Sequence, residues 1–140
     1  MKISTKGRYA LRMMVDLAVY GREQEYISLR DVAVRQNVSM KYLEQIVSVL
    51  VKAGYLKSVR GPAGGYRLAR PAEELTVGEV LRVTEGDLHL VPCLKDCPNQ
   101  CPRQDSCAAL PVWGGLREVI LEYVDGITLA DVVVQTKSLR

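Results

Sequence analysis

Four cysteines lie close together in the second half of this 140-residue chain: Cys93, Cys97, Cys101 and Cys107. Structural zinc sites and thioredoxin-like redox motifs usually contain Cys-x2-Cys pairs, and this chain has none. A loop of spaced thiolates can instead hold an iron–sulfur cluster. The nearby cations of Lys95 and Arg103 favour the thiolate form. The spacing therefore favours such a cluster, with zinc, metal-free thiol redox chemistry and inert thiols as alternatives.

The charge of the chain is divided unevenly between its halves. Residues 1–70 carry thirteen Lys and Arg against five Asp and Glu, a balance of +8. Residues 71–140 carry six against eleven, a balance of −5. A basic half joined to an acidic half indicates that one part meets a polyanion. Chance segregation of charges on solvated faces is the alternative.

The composition is that of a globular domain, with 48% apolar and 25% charged residues. No apolar run exceeds about five residues, which excludes a membrane-spanning helix. The basic start resembles a signal peptide, but Arg12 and Asp16 interrupt the following apolar stretch, so we predict an amphipathic helix and a cytoplasmic protein. A single histidine, His89, argues against a Ser-His-Asp hydrolase, and no enzyme activity is predicted.

The basic half contains the pattern of a helix-turn-helix. Apolar residues recur at helical spacing over residues 7–20, 28–36 and 40–53, with Arg12 and Asp16 placed off the apolar face of the first helix. Ser28 and Ser39 are predicted N-caps, and Asn37 tolerates the left-handed conformation that ends the second helix. The last two helices, joined by a tight turn, form the helix-turn-helix.

A short β-hairpin is predicted directly after the helix-turn-helix. Tyr55–Val59 has the pattern of a strand, Arg60–Gly65 that of a turn, and Tyr66–Ala69 that of a returning strand. A helix-turn-helix followed by a basic, glycine-rich hairpin is a winged helix. We therefore predict a mostly α fold with a small β-hairpin wing.

The start of the third helix offers polar side chains that could read DNA. Gln45 could pair with adenine and Glu44 could accept a hydrogen bond from cytosine. Lys41 and Tyr42 could hold phosphates or read a base edge, and Ser39 lies beside them. Since a carboxylate near phosphates is costly, Glu44 more plausibly discriminates between sequences than adds affinity. The alternative is that all five are solvent-facing side chains of a core helix.

The wing provides a second set of candidate DNA contacts. Arg60 could enter the narrow minor groove. Gly61, Gly64 and Gly65 would let the hairpin approach a nucleic-acid backbone closely. An ordinary surface hairpin is the alternative.

The acidic half is predicted to hold the cysteine loop and a long helix. Pro71 marks a junction, a short helix capped by Thr76 ends near Gly86, and a long helix covers residues 108–125. A last short helix begins at Thr128. We divide the chain into a winged helix-turn-helix DNA-binding domain at residues 1–86, a cysteine-rich cluster-binding loop at 87–107, and a dimerisation helix followed by a C-terminal helix at 108–140.

The long helix carries more apolar surface than one short chain needs to bury. Its apolar stripe consists of Trp113, Leu116, Ile120, Tyr123 and Val124. A two-fold dimer through this helix would cover the stripe and present two wings to a pseudo-palindromic site. We therefore predict a homodimer.

Several segments together carry a resemblance to a known family. They are Met1–Ala10, Tyr42–Gln45, Val59–Tyr66 and the Cys101-x5-Cys107 loop before Trp113. They resemble the iron–sulfur cluster regulator family of the IscR type, which includes nitric-oxide-sensing and cysteine-metabolism repressors. The resemblance implies a dimeric winged-helix transcription factor that contacts DNA with the Tyr42–Gln45 turn and Arg60. It also implies a [2Fe–2S] cluster held by Cys93, Cys101 and Cys107.

The chain departs from that family at the fourth cluster ligand. The cluster regulators use a His three residues after the last Cys, where this chain has Leu110. The nitric-oxide sensors use an Asp in the first helix, where this chain has Arg8. Cys97 is our first candidate for the fourth ligand and His89 our second. The remaining candidates are the loop carboxylates Asp96 and Asp105 and a group from the partner subunit.

The sequence thus predicts a cytoplasmic, homodimeric DNA-binding regulator that responds to an iron–sulfur cluster, with cluster-assembly proteins as further partners. Two alternatives stay open. One is a metal-free repressor of the cysteine-metabolism type that a partner protein controls. The other is a zinc-stabilised module that binds nucleic acid without regulation.

Overall fold

The computed structural model describes residues 2–21, 25–95 and 98–138. It confirms a mostly α fold with one β-hairpin. The elements in chain order are α1 (Thr5–Tyr20), α2 (Leu29–Gln36), α3 (Met40–Lys52), β1 (Leu56–Val59), β2 (Gly65–Leu68), α4 (Val77–Glu85), α5 (Leu110–Gly126) and α6 (Leu129–Ser138). Short 3-10 turns at Ala72–Glu74 and Pro92–Leu94 were not expected.

The caps of the helix-turn-helix are those that the sequence predicts. The Ser28 side chain accepts a hydrogen bond from the Asp31 N–H, and Ser39 accepts one from the Tyr42 N–H, at 3.1 and 3.2 Å. Asn37 has φ 52° and ψ 52°, the left-handed conformation that ends α2. Helix α1 begins before residue 7, at Thr5, because Ser4 caps it by accepting from the Gly7 N–H.

The wing is an antiparallel hairpin tied to the helix-turn-helix. Strands β1 and β2 pair in the register from Leu56–Leu68 to Val59–Gly65. Strand β1 begins one residue later than predicted, and β2 begins and ends one residue earlier, so that it includes Gly65 of the predicted turn. The Ala69 N–H still donates to the Tyr55 carbonyl at 3.0 Å. Ile27 and Tyr66 exchange both backbone hydrogen bonds, at 2.9 and 2.8 Å. The returning strand is therefore fixed to the residue before the cap of α2.

One core joins both ends of the chain. It contains fully buried residues of α1, α2 and α3 together with Leu75, Val80 of α4 and Leu129 of α6. The Leu129 N–H donates to the Leu75 carbonyl at 2.8 Å. Helix α6 therefore packs onto the helices of the winged-helix part.

The expected position of Asp16 is wrong. The spacing places it off the apolar face of α1, yet its side chain is completely buried. A buried carboxylate is stable only when its oxygens are paired, and here Arg35 and Gln36 donate to them. Asp16 and Arg35 are nineteen residues apart. The spacing of apolar residues within α1 therefore gives no sign of this contact.

Helix α5 packs loosely on the rest of the chain. Val124 is its buried residue, and it packs with Val77 and Leu81 of α4. A bidentate ion pair between Arg82 and Asp125 joins α4 to α5, with N–O distances of 2.6 and 2.8 Å. No helix among the described residues is long and apolar enough to span a bilayer.

Candidate nucleic-acid interface and cysteine loop

The first turns of α3 have one buried and one exposed face. Leu43, Ile46 and Val47 are buried in the core. The predicted DNA-reading side chains Ser39, Lys41, Glu44 and Gln45 are exposed. The Ser39 cap fixes the N-terminus of the helix, where backbone N–H groups favour anions such as phosphate. The structure thus brings four of the five predicted residues to one accessible surface.

Tyr42 differs from its neighbours because it is half-buried. Its ring packs edge-to-face against the ring of Tyr9 in α1, with centroids 5.7 Å apart and an interplanar angle of 88°. Such pairs contribute about 0.5–1.5 kcal/mol beyond the area that they bury. Tyr42 therefore also links the start of α3 to α1.

The wing tip is open to solvent. Residues 60–63 are exposed, and Arg60 carries the charge at this tip. Gly61 has φ 109°, a conformation that glycine adopts without strain, and a side chain there would meet no other atom. The tip can therefore approach another molecule closely.

The other two wing glycines, Gly64 and Gly65, are required by close backbone contacts within the chain. A Cβ atom on Gly64 would collide with the Val59 carbonyl. A Cβ atom on Gly65 would collide with the Ile27 carbonyl, against which the returning strand pairs. The shape of the hairpin itself thus requires both glycines, whatever they contact outside it.

Two more cations belong to the wing strands. Lys57 is exposed on β1. Its pairing partner Arg67 on β2 is half-buried, with the guanidinium carbon 5.0 Å from the centre of the Tyr26 ring. Lys57 and Arg60 are therefore free to meet phosphates, whereas Arg67 packs on an aromatic face.

The cysteine loop connects α4 to α5. Cys93 lies in the short turn Pro92–Leu94, Cys101 follows Asn99, and Cys107 lies just before α5. All three are half-buried free thiols. Asn99 orients the second of them, because its side-chain oxygen accepts from the Cys101 N–H at 2.9 Å. Cys97 and Asp96 lie outside the described residues.

The donor chemistry of the loop fits a cluster, but its conformation does not gather the donors. The three half-buried thiols are soft donors of the kind that iron–sulfur clusters use, and Lys95 and Arg103 are exposed in the same loop. Within residues 2–21, 25–95 and 98–138, no three His, Cys, Asp or Glu side chains converge on a common point. Ligation by this set would need the loop to draw its thiols together.

The other candidate ligands are placed differently from one another. His89 is half-buried, and its Nδ1 is enclosed without a hydrogen-bond partner among the described residues. Asp105 is exposed in the loop. Arg8 is exposed on α1 and donates to Thr5, whereas Leu110 is the half-buried first residue of α5. Cys97 therefore stays the first candidate for the fourth ligand and His89 the second.

The predicted apolar stripe of α5 is largely exposed. Trp113, Leu116 and Tyr123 are 37, 45 and 67% exposed, while Val124 is buried. Val112 and Val119, which the predicted stripe omits, are exposed as well. A single chain therefore leaves a continuous apolar surface on this helix uncovered.

The sequence does not predict a polar network that lies between α1 and the end of α2. It joins Arg12 and Asp16 of α1 to Arg35 and Gln36 at the end of α2. The Asp16 hydrogen bond raises the pKa of Arg35, although burial opposes it, so this guanidinium stays charged. The available signal was two charged residues four positions apart inside an apolar helix.

Comparison with known proteins gives one consistent result. The family model described as "Rrf2: Iron-dependent Transcriptional regulator" matches residues 3–135. Protein rrf2 of Nitratidesulfovibrio vulgaris is 41% identical over 133 residues, which are 95% of this chain and 87% of that protein. The structure of CymR, the global cysteine regulator of B. subtilis, matches with a TM-score of 0.79 and 38% identity, over 96% of this chain and 98% of that chain. The structure of T. potens IscR matches equally well, with a TM-score of 0.79 and 38% identity, over 100% of this chain and 91% of that chain.

Proposed function

Because this chain belongs to the Rrf2 family of transcriptional regulators, we propose that it is a homodimeric, sequence-specific DNA-binding regulator whose affinity for its operator responds to an iron–sulfur cluster. Regulators of this family are not enzymes, and the winged helix is their DNA-binding fold. A transcriptional regulator acts where the chromosome lies, so we place this one in the cytoplasm.

The exposed polar surface of α3 beside the wing carries the DNA-binding part of the proposal. Ser39, Lys41, Glu44 and Gln45 project from the first turns of a helix slim enough for the major groove. Arg60 at the wing tip supplies a cation for the minor groove or a phosphate. Gly61 keeps that tip compact. In this arrangement Lys41 and Arg60 orient the protein, while Glu44 and Gln45 discriminate between bases.

The exposed face of α5 supports the dimer. Burying side chains such as Trp113, Leu116 and Tyr123 against the same helix of a second copy would remove apolar area from water at about 25 cal/mol per Å². A two-fold axis through α5 would place two recognition helices on the two halves of a pseudo-palindromic operator. Sedimentation at micromolar concentration tests this, and a stable monomer would contradict it.

The cysteine loop supports the cluster. Cys93, Cys101 and Cys107 would hold a [2Fe–2S] centre, with Cys97 as the first candidate for the fourth ligand. When bound, such a centre supplies one-electron redox chemistry and reactivity toward small oxidants. Cluster-assembly proteins are the expected donors of such a centre. The family description itself names iron.

A second candidate function is a metal-free repressor of cysteine metabolism under the control of a partner protein. Two observations favour it: the match to CymR over nearly the whole chain, and the three described thiols that do not converge. In this function the loop cysteines would be reactive or inert thiols instead of ligands.

Anaerobic purification followed by DNA binding separates these functions. The lead proposal predicts a coloured protein with stoichiometric iron and sulfide, and a different operator affinity for the apo and cluster-loaded forms on the same duplex. A colourless protein without metal that still binds its operator supports the metal-free repressor. A colourless zinc protein that binds duplexes without sequence preference supports a zinc-stabilised module.

A further inference from the structure

Arg12 holds the end of the first helix of the helix-turn-helix. Its Nε donates to the Gln36 side-chain oxygen at 3.0 Å, and its Nη2 donates to the Gln36 carbonyl at 2.9 Å. That carbonyl is one of the last four of α2, which no N–H inside the helix can satisfy. Arg12 therefore fixes the backbone at the residue before the turn.

A buried carboxylate continues the same contact. The Gln36 side-chain nitrogen donates to Asp16 Oδ2 at 2.8 Å, so this amide is held on both sides. Arg35 donates to the same carboxylate with two nitrogens, at 2.7 and 3.0 Å. The Asp16 side chain is completely buried. Polar groups buried in this way hold a precise geometry, because any displacement leaves a charge unpaired.

Arg12 also reaches the other side of the turn. Its guanidinium carbon lies 4.8 Å from the centre of the Tyr9 ring, and Tyr9 packs edge-to-face on Tyr42 in the first turn of α3. Between Gln36 and Tyr42 lie the turn, the Ser39 cap and the first two residues of α3. One side chain of α1 thus connects, directly and through Tyr9, to both helices of the motif.

We propose that Arg12 and Asp16 are positioning residues for DNA recognition, and that together they set the orientation in which the first turn of α3 enters the major groove. This inference rests on the proposed role of Glu44 and Gln45 in reading bases. Contacts to base edges require side chains placed within about 0.5 Å. Contacts to phosphates carry no sequence information. The clamp that Arg12 and Asp16 form at the end of α2 should therefore control discrimination between sequences more than total affinity.

The test is the ratio of affinities for a selected and a scrambled duplex. The selected duplex is the one that the wild-type chain enriches from a random-sequence pool, and the scrambled duplex has the same composition. Arg12→Lys keeps the positive charge but loses the planar two-nitrogen contact with Gln36. Arg70→Lys is the matched control, since it also removes a guanidinium that donates to a side chain, that of Glu79, and lies over a tyrosine ring, that of Tyr55.

Arg12→Lys should lower the affinity ratio on the order of tenfold, the loss typical of one misplaced base contact. Affinity for the scrambled duplex and its dependence on salt should stay unchanged, because the charge is retained. Arg70→Lys should leave the affinity ratio unchanged. Thermal unfolding shows whether Arg12→Lys folds. If it does not, Tyr9→Leu provides the test, because it breaks the link to Tyr42 without changing charge. Tyr9→Leu is expected to lower the affinity ratio by the same factor.

The proposed role of Arg12 and the proposed function are contradicted by different results. A folded Arg12→Lys protein whose affinity ratio stays within about twofold of wild type, less than one mismatched base pair costs, contradicts the clamp and leaves the proposed function intact. A wild-type chain that enriches no duplex from the random pool contradicts the proposed function instead.

Discussion

The winged-helix part and the cysteine loop are held in place in opposite ways. In the first, Ser28, Ser39 and Thr76 cap helices, and a single core links α1, α2, α3, α4 and α6. In the second, no described residue between Gly86 and Ala109 is buried, and the free thiols are only half-buried. The predicted DNA-reading surface thus belongs to the packed part of the chain, whereas the described part of the loop has no buried residue to fix it.

This difference suits a regulator in which one part senses and another part binds. Segments with few buried contacts open and rearrange at low free-energy cost, while a packed core moves as a unit. A ligand that gathers the loop thiols would pay little to reorganise the loop. Its effect would reach the DNA-binding part through α5 and the contacts of α5 with α4.

The largest expected effect is the loss of the cluster from the loop without damage to the winged helix. Replacing Cys93, Cys101 or Cys107 with Ser should abolish visible absorption and bound iron, because each removes one of the ligands that the family resemblance assigns. The midpoint of thermal unfolding of the apo protein should stay within about 2 °C of wild type, since none of these thiols is in the core.

Cys97→Ser is the graded comparison for these three variants. If Cys97 is the fourth ligand, the cluster should assemble but be more labile and have altered visible absorption. Should Cys97→Ser match wild type while His89→Ala destroys the cluster, the imidazole is the ligand. If neither replacement matters, the fourth donor is a carboxylate or belongs to the partner subunit.

A second comparison sets a core leucine against an exposed one. Leu50 is completely buried in α3, and Leu50→Ala should lower the free energy of unfolding by about 2–5 kcal/mol. Leu116 on α5 is 45% exposed in one chain. Leu116→Ala should therefore change the stability of the monomer little and weaken self-association instead. Urea unfolding and sedimentation measure the two effects separately, and equal losses of monomer stability would refute the contrast.

Most of the winged-helix part could be predicted from the sequence because its signals are local. A serine before an apolar period gives a cap, as at Ser28 and Ser39, and an asparagine after it gives the left-handed turn at Asn37. The glycine-rich segment after Val59 gives the turn of the hairpin. Each of these features depends on residues within a few positions of one another.

The contacts of Asp16 and the packing of α6 could not be predicted because they join residues that are far apart in the sequence. Asp16 meets Arg35 nineteen residues later, and α6 returns from the far end of the chain to put Leu129 in the core. Such contacts depend on tertiary packing, which no short-range period encodes. The spacing of the cysteines indicates candidate ligands but not their arrangement, because the described part of the loop has no buried residue that would fix it.

The wing should contribute a smaller effect, on binding alone. Arg60→Ala should weaken specific DNA binding by about 1–3 kcal/mol while leaving the fold intact, because Arg60 is exposed at the tip. Lys137→Ala, which removes an exposed cation of α6 from the acidic half, is the matched control and should leave binding unchanged. Fluorescence anisotropy on the selected duplex at physiological salt measures both. Equal affinities of the Arg60 variant and wild type would count against the wing contact.

The smallest effect is expected at the joint between the two regions, the Arg82–Asp125 pair. Its hydrogen bonds lower the pKa of Asp125, although burial opposes this. The folded pKa then lies below the unfolded value of about 3.9, so the stabilisation is complete above that value and disappears as the pH falls through the folded pKa. Because both side chains are partly exposed, solvent screening limits it to under about 1 kcal/mol.

Asp125→Asn should therefore lower the free energy of unfolding at pH 7, and this difference from wild type should shrink below about pH 4. Glu118→Gln removes an exposed carboxylate from the same helix and should show no such pattern. Urea unfolding at pH 7, 4 and 3 measures the difference for both variants. A penalty for Asp125→Asn that stays constant across this range would mean that the joint depends on the shape of the side chain and not on its charge. The link from α5 to the DNA-binding part would then rest on the packing of Val124 against Val77 and Leu81.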